Sequence, residues 1–255
     1  TLFSGGEVLL GLYGYCIQIY CDFSGYSDMA IGIALLLGFK IPMNFNAPLT
    51  ADSMTDFWRR WHISLSTWIR DYVYISLGGN KKGTLRMYFN QMVAMTACGL
   101  WHGASLNFIV WGVLHGALVC VHKFWSQTVL KHDRRYHPSG LRRFISVFIT
   151  FHVLCFTWLF FRCKDFDAVW VMVKQMFTKF NPSVLPDVFM GYKYVFLLMI
   201  FALLTHWIPD SWQNRCVRIL EKGGVLLSAI AITIVIFIIM QVKSSDIQPF
   251  IYFQF

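Results

Sequence analysis

The sequence predicts an all-α fold: a polytopic membrane helical bundle with interfacial and broken, re-entrant helices. Hydrophobic residues make up 56% of the 255 residues and charged residues only 14%, whereas soluble domains carry about 25% charged residues. Long apolar runs such as residues 225–240 contain no charged residue, and roughly 20 apolar residues cross a bilayer. A Trp-rich, Arg-containing segment after residue 53 is typical of a helix that lies in the membrane interface.

The first apolar segment, residues 7–39, is interrupted by two acids. Asp22 and Asp28 lie in the sequence YCDFSGYSDMAIG. Isolated acids in such a segment usually face a protein interior or a water-filled cavity instead of lipid. Asp22 is therefore a candidate substrate-binding residue.

Residues 53–79 predict one amphipathic interfacial helix. Ser53 and Asp56 have the spacing of a capping box, with Asp in place of Glu or Gln. Apolar and aromatic residues then recur at three- and four-residue steps, at Trp58, Trp61, Leu65, Trp68 and Tyr72. Arg59, Arg60 and Arg70 fall off that stripe. An apolar face with a basic back suits the membrane surface.

Residues 87–122 contain no charged residue and are too long for one membrane helix. At 1.5 Å per residue these 36 residues would reach about 54 Å, far more than a bilayer needs. The sequence W-H-G-A-S at residues 101–105 is the favoured break. Because broken backbone at membrane depth is tolerated only against protein or a polar cavity, we expect His102 to face a cavity.

The remaining predicted spans are residues 141–161, 191–208 and 224–241. The loop at residues 123–143 carries six basic residues against one acid, Asp133, so the positive-inside rule places it in the cytoplasm. The net charge of +9 is concentrated between apolar runs, which indicates a bilayer as the partner and argues against nucleic acid.

Histidines are the candidate catalytic groups. His102 has Gly103, Ser105 and Asn107 as polar or flexible neighbours. His152 lies eleven residues into a predicted span, and an ionisable group at that depth is by default a functional-site hypothesis. A neutral histidine that hydrogen-bonds a neighbouring helix is an equally good interpretation of His152. A second His-Gly pair at residues 115–116 suggests helix packing.

No metal site or nucleophile motif accompanies these histidines. The sequence lacks HExxH, finger-like Cys/His spacing, GxSxG and a Walker loop, so we expect no bound metal. An imidazole with an ordinary pKa near 6.5 is suited to deprotonate an alcohol. The residues alone leave acyl transfer and proton transport open.

Four stretches between Tyr20 and Arg162 resemble the membrane-bound O-acyltransferase (MBOAT) superfamily, most closely its alginate O-acetyltransferase branch. They are YCDFSGYSDMAIGIALLLGF, NFNAPLTADSMTDFWRRWHISLSTWIRDYVYISLGGNKKG, ACGLWHGASLNFIVWGVLHG and FITFHVLCFTWLFFR. The resemblance implies one membrane domain over residues 1–255 with a central funnel. It also implies that this chain is the C-terminal portion of a family member, and that further helices precede it in the whole protein.

The resemblance also implies roles for particular residues. His102 matches an active-site histidine, and His152 aligns with a second histidine of the D-alanyl transfer branch. His62 in RRWH is a structural or donor-binding residue. The implied acyl donor is cytoplasmic acetyl-CoA, with no bound cofactor. Basic residues would face its phosphates or, as an equally good alternative, anchor to lipid headgroups; they are Arg59, Arg60, Arg70, Lys81 and Lys82. Ser105 or Asn107 would help to hold the oxyanion.

The implied function is an O-acetyltransferase of a bacterial inner membrane. It would acetylate a cell-envelope polysaccharide, either directly or through an extracytoplasmic partner acetyltransferase. D-alanyl transfer is an alternative within the family. A proton-coupled transporter with a histidine relay is an alternative from another class, although the sequence shows no repeat and one strong helix interruption. Thioester consumption separates the acyltransferases from the transporter.

Overall fold

A computed structural model describes residues 3–133 and 136–242. Within these ranges every regular element is a helix. In the described part of the chain, three helices are long and apolar enough to cross a membrane, and they cover Leu106–Val129, Gly140–Arg162 and Ser211–Gln241. These findings confirm the predicted all-α membrane class.

The chain divides into two compact units, the first ending at His206 and the second beginning at Trp207. The first unit contains ten α-helices within its described residues. They are α1 (Gly5–Leu36), α2 (Met54–Arg60), α3 (Ile63–Ile69), α4 (Thr84–His102), α5 (Leu106–Lys123), α6 (Gly140–Thr157), α7 (Leu159–Arg162), α8 (Phe166–Thr178), α9 (Leu185–Gly191) and α10 (Lys193–Thr205). The second unit contains α11 (Asp210–Val242), which is kinked at Gly224.

The predicted break at W-H-G-A-S is confirmed. Helix α4 ends at His102, and α5 begins at Leu106, where the Ser105 side chain caps the new helix. The two helices pack backbone against backbone: Gly99 lies so near Phe108 that an added Cβ would clash with the Phe108 carbonyl oxygen. Glycine thus allows the close approach that is typical of helix pairs in membranes. His102 is thereby fixed at the turn of a tight hairpin.

The prediction of one interfacial helix over residues 53–79 is wrong. Two seven-residue helices, α2 and α3, are separated at His62, which has a left-handed backbone with φ of 45°. The preceding connector supplies the hydrogen bonds for this break: the Ile63 N–H donates to the Asn44 carbonyl over 3.0 Å. A π-helical turn, Arg70–Tyr74, follows α3. The predicted Ser53 cap is present, since the Asp56 N–H donates to its hydroxyl.

The predicted span at residues 191–208 is a bent pair in the structure. The segments Pro182–Gly191 and Lys193–Thr205 meet at 84° and are long enough for one span only when taken together. This is a second interrupted helix besides the α4–α5 break, whereas the sequence indicated only one strong interruption.

Candidate active site

The His102 imidazole lies in a pocket of aromatic rings, here called the His102 pocket. Its ring centroid is 4.9 Å from that of Trp101, 5.4 Å from Trp111 and 5.0 Å from Phe161. These rings come from α4, α5 and α7, so three separate elements converge on one imidazole. Trp101 is 54% exposed and forms the open side of the pocket.

His62 is the second imidazole at this pocket. Its ring lies 4.7 Å from that of Phe23 and 5.8 Å from that of Trp101, which also contacts the His102 ring. Burial lowers the pKa of His62 to about 4, so its ring is neutral at pH 7. Its Nδ1 lies 3.3 Å from the Asn44 Oδ1 and therefore carries the proton. Its Nε2 is buried and has no hydrogen-bond partner among the described residues.

His115 is a third imidazole, and the sequence had suggested only helix packing for it. It is completely buried in the middle of α5. Its Nδ1 accepts a hydrogen bond from the Trp58 indole over 3.2 Å, and its Nε2 lies 2.9 Å from the Thr157 hydroxyl. Its ring is 4.4 Å from that of Trp111, which also contacts His102. The repeated His-Gly pair was the one sequence signal that pointed to this residue.

His152 lies apart from these three histidines. Its ring contacts Tyr13 of α1 at 5.4 Å and Phe148 of α6 at 4.1 Å. Its Nδ1–H donates to the Phe148 carbonyl of its own helix over 2.8 Å. The structure therefore does not bring together the two histidines that the sequence named as catalytic.

A cavity of about 270 Å³, here called the basic cavity, lies between α2, α3, α4 and α5. Its lining combines three cations with polar groups and an apolar end: Thr55, Trp58, Arg59, Ser66, Ile69, Arg70, Tyr74, Gln91, Ala94, Met95, Cys98, Val119 and Lys123. Cys98 lies four residues before His102 on α4, which corresponds to about 6 Å along the axis. The cavity thus extends from the Lys123 end of α5 to within about one turn of His102.

The three predicted donor-binding arginines separate. Arg59 and Arg70 line the basic cavity. The Arg60 Nε instead lies 2.7 Å from the buried Asp56 carboxylate. Arg70 also pairs with Asp71 at 2.7 Å on the exposed surface, and this hydrogen bond lowers the pKa of Asp71.

The other predicted site residues make hydrogen bonds within the protein. Ser105 accepts the Asn107 N–H as the cap of α5. The Asn107 side-chain amide donates to the Cys163 carbonyl over 2.9 Å, so it ties α5 to the residue that follows α7. Asp22 is half-buried on α1 and accepts a hydrogen bond from Gln18. Their predicted roles in binding remain predictions.

The described residues contain one group with metal-ligand chemistry, formed by Asp52, Asp56 and His137, whose ligand atoms lie within 4.8 Å of one another. Each of its members already has a protein partner: His137 bonds Asp52 at 2.6 Å, and Asp56 pairs with Arg60. The prediction that the chain binds no metal stays a prediction.

Comparison with known proteins places this geometry in context. The model of the membrane-bound O-acyltransferase family matches residues 8–161. The chain is 46% identical to the probable alginate O-acetylase of Azotobacter vinelandii, over 68% of this chain and 33% of that protein. It is 43% identical to the peptidoglycan O-acetyltransferase of Helicobacter pylori, over 64% of this chain and 30% of that protein.

A third relative is the teichoic acid D-alanyltransferase of Bacillus subtilis, which is 34% identical over 62% of this chain and 42% of that protein. The matched part of the chain therefore spans between 30 and 42% of the length of these three relatives.

Proposed function

The chain belongs to the membrane-bound O-acyltransferase family, and we propose that it moves an acetyl group from acetyl-CoA to a hydroxyl group outside the cytoplasm. The acceptor is a cell-envelope polysaccharide or a partner acetyltransferase, and the membrane is the bacterial inner membrane. One observation carries the proposal: a cavity lined by cations reaches to about one helical turn from His102, beside which lies the neutral imidazole of His62.

The basic cavity suits the donor at both of its ends. Arg59, Arg70 and Lys123 can bind phosphate oxygens through charge-assisted hydrogen bonds. The opposite end, with Met95 and Cys98, is apolar and suits the thioester arm. Since Lys123 begins the basic loop that the positive-inside rule places in the cytoplasm, the donor enters from that side.

In the proposed reaction His102 is the general base. It takes the proton of the acceptor hydroxyl while the hydroxyl oxygen attacks the thioester carbonyl carbon. The C–S bond then breaks, and the departing thiolate takes the proton from the His102 imidazolium, so that CoA leaves as a thiol. His62 carries an unprotonated Nε2, which can accept a hydrogen bond from the acceptor. His152 has no part in this scheme.

Two alternatives differ from acetyl transfer in what the protein consumes: one uses another acyl donor, and the other uses none. D-alanyl transfer is supported by the similarity to the teichoic acid D-alanyltransferase and would use the same histidines with another acyl group. A proton-coupled transporter gains some support from the second broken helix, the α9–α10 pair bent by 84°. Only the acyltransferases consume a thioester.

The test is transfer of labelled acetyl-CoA by membranes that carry the full-length protein. The wild type is compared with the double variant Arg59→Gln, Arg70→Gln and with Arg86→Gln, an exposed arginine outside the cavity. We expect the double variant to raise the KM for acetyl-CoA at least about a hundredfold, since it loses two charge-assisted contacts of about 1.5–3 kcal/mol each, while Arg86→Gln changes little. An unchanged KM in the double variant would place the donor elsewhere, and label transfer from a D-alanyl donor alone would favour the D-alanyl alternative.

A further inference from the structure

His115 has both ring nitrogens occupied, and its partners determine which one carries the proton. The Thr157 hydroxyl donates to the Leu154 carbonyl over 2.8 Å, so its oxygen accepts from His115, and Nε2 is the protonated nitrogen. The Trp58 indole N–H can only donate, so Nδ1 is the acceptor. In a doubly protonated ring, the Nδ1–H of His115 would point at the Trp58 indole N–H, so that two donors would face each other. His115 is therefore held as one neutral tautomer and is not a proton-transferring base.

The residue that His115 holds, Trp58, lies between the two parts of the proposed active site. Trp58 lines the basic cavity, and its ring lies 5.7 Å from that of Trp111. Trp111 in turn contacts the His102 ring at 5.4 Å. The indole thus forms a wall. One side faces the basic cavity, and the other side contacts Trp111, whose ring contacts His102.

The hydrogen bond from the Trp58 indole N–H to His115 sets the orientation of this wall. Trp58 is on α2, His115 is on α5 and Thr157 is on α6. The two hydrogen bonds of His115 together therefore join three helices that lie far apart in the sequence. Since Trp58 is half-buried and an indole N–H that is shielded from water without a partner is costly, this contact favours a single orientation of the ring.

We infer that His115 is a positioning residue: it fixes the Trp58 indole as the wall between the basic cavity and the His102 pocket, so that the acyl end of the donor is held next to His102. This inference rests on the proposed function for its consequence in catalysis. The fixed Trp58 orientation itself does not depend on that function.

Two conservative substitutions separate the two hydrogen bonds of His115. His115→Asn places an amide oxygen near the position of Nδ1 and keeps an acceptor for Trp58. His115→Gln places an amide nitrogen near the position of Nε2 and keeps a donor for Thr157, while the Trp58 contact is lost. We expect His115→Gln to raise the KM for acetyl-CoA about tenfold, the usual scale for one lost hydrogen bond, with kcat within about threefold of wild type. His115→Asn stays within about twofold in KM.

Trp58→Phe removes the donor of the same bond and completes a double-variant cycle. If His115 acts through Trp58, then Trp58→Phe raises the KM as His115→Gln does, and the combined variant is no worse than either single one. The inference would be overturned if His115→Asn and His115→Gln raised the KM equally, or if the KM increases of the two single variants multiplied in the combined variant.

A spectroscopic readout tests the wall without turnover. The full-length protein is purified in detergent with 5-fluorotryptophan at its tryptophans, and the Trp58 fluorine resonance is identified by its loss in Trp58→Phe. We expect this resonance to shift or broaden in His115→Gln and to be retained in His115→Asn. An unchanged resonance in His115→Gln would overturn the positioning role. Absence of acetyl transfer by the wild type would instead contradict the proposed function, and the fluorine result would still decide the role of His115.

Discussion

His102 and His152 are alike in the sequence and different in the structure. Each is a single imidazole inside a long apolar run. The rings around His102 come from α4, α5 and α7, and His62 lies beside it. His152 contacts Tyr13 and bonds the carbonyl of its own helix. Depth in a predicted span therefore does not distinguish the two histidines, whereas the three elements around the His102 imidazole favour His102 as the proposed base.

The largest expected effect is at the first member of this pair. His102→Ala removes the proposed general base, and such groups contribute about 100- to 10,000-fold, so we expect acetyl transfer to fall at least 100-fold. The measurement is the initial rate of label transfer at matched expression, with His102→Gln as a variant of similar volume. A residual rate above about a tenth of wild type in His102→Ala would show that the base is another group.

The part of this site that the sequence predicted depends on local signals. The break that fixes His102 followed from the glycines and from the charge-free length of residues 87–122. The division at His62 did not, because its left-handed backbone is supported by Asn44, which lies in the preceding connector. The role of His115 depends on Trp58 and Thr157, which are 57 and 42 residues away. No spacing rule within one helix indicates such partners.

The supporting helices of the two histidines also differ, and glycine substitutions sharpen that difference. A Cβ at Gly112 would clash with the Met95 carbonyl oxygen in the α4–α5 hairpin, whereas a Cβ at Gly14, beside the Tyr13 that contacts His152, meets nothing within 4 Å. We expect Gly112→Ala to destabilise the protein by about 2 kcal/mol through overpacking and to lower its Tm by roughly 5 °C.

The matched control is Gly14→Ala, which we expect to leave the Tm unchanged or slightly raised, because alanine favours a helix interior. Thermal unfolding of the purified protein in detergent measures both variants. Equal Tm values for Gly112→Ala and wild type would show that the hairpin tolerates separation and that His102 is held less tightly than the packing indicates.

An effect of similar size concerns His62, whose ring shares its contact with Trp101 with that of His102. Burial lowers its pKa from 6.5 to about 4, so the folded protein binds fewer protons here than the unfolded chain. Its contribution to stability is therefore complete above pH 6.5 and is lost as the pH falls towards 4. Between pH 7 and pH 5 this amounts to about 2 kcal/mol.

His62→Gln removes the titrating ring from the same place. We expect the Tm of the wild type to fall more steeply than that of His62→Gln between pH 7 and pH 5, as followed by thermal unfolding in the same detergent. Parallel pH profiles for the two proteins would indicate that His62 is as solvated in the folded state as in the unfolded chain.

The smallest expected effect is at His152. His152→Ala removes contacts with Tyr13 and Phe148 and a hydrogen bond within one helix, but none of these reaches the basic cavity or the His102 pocket. We therefore expect label transfer within about fivefold of wild type at equal amounts of folded protein, since one net hydrogen bond contributes about 1 kcal/mol. His152→Gln, which keeps a polar side chain of similar size, should be closer still.

His152→Ala is also the most direct test of the difference between His102 and His152. The resemblance to the D-alanyl transfer branch implies a second catalytic histidine at His152, and that role requires a loss comparable to the loss in His102→Ala. The combined variant His102→Ala, His152→Ala separates the two cases: a pair that acts on one proton gives no further loss, whereas independent sites give losses that multiply. A large effect of His152→Ala on transfer with an unchanged Tm would mean that α1 and α6 form a second part of the site.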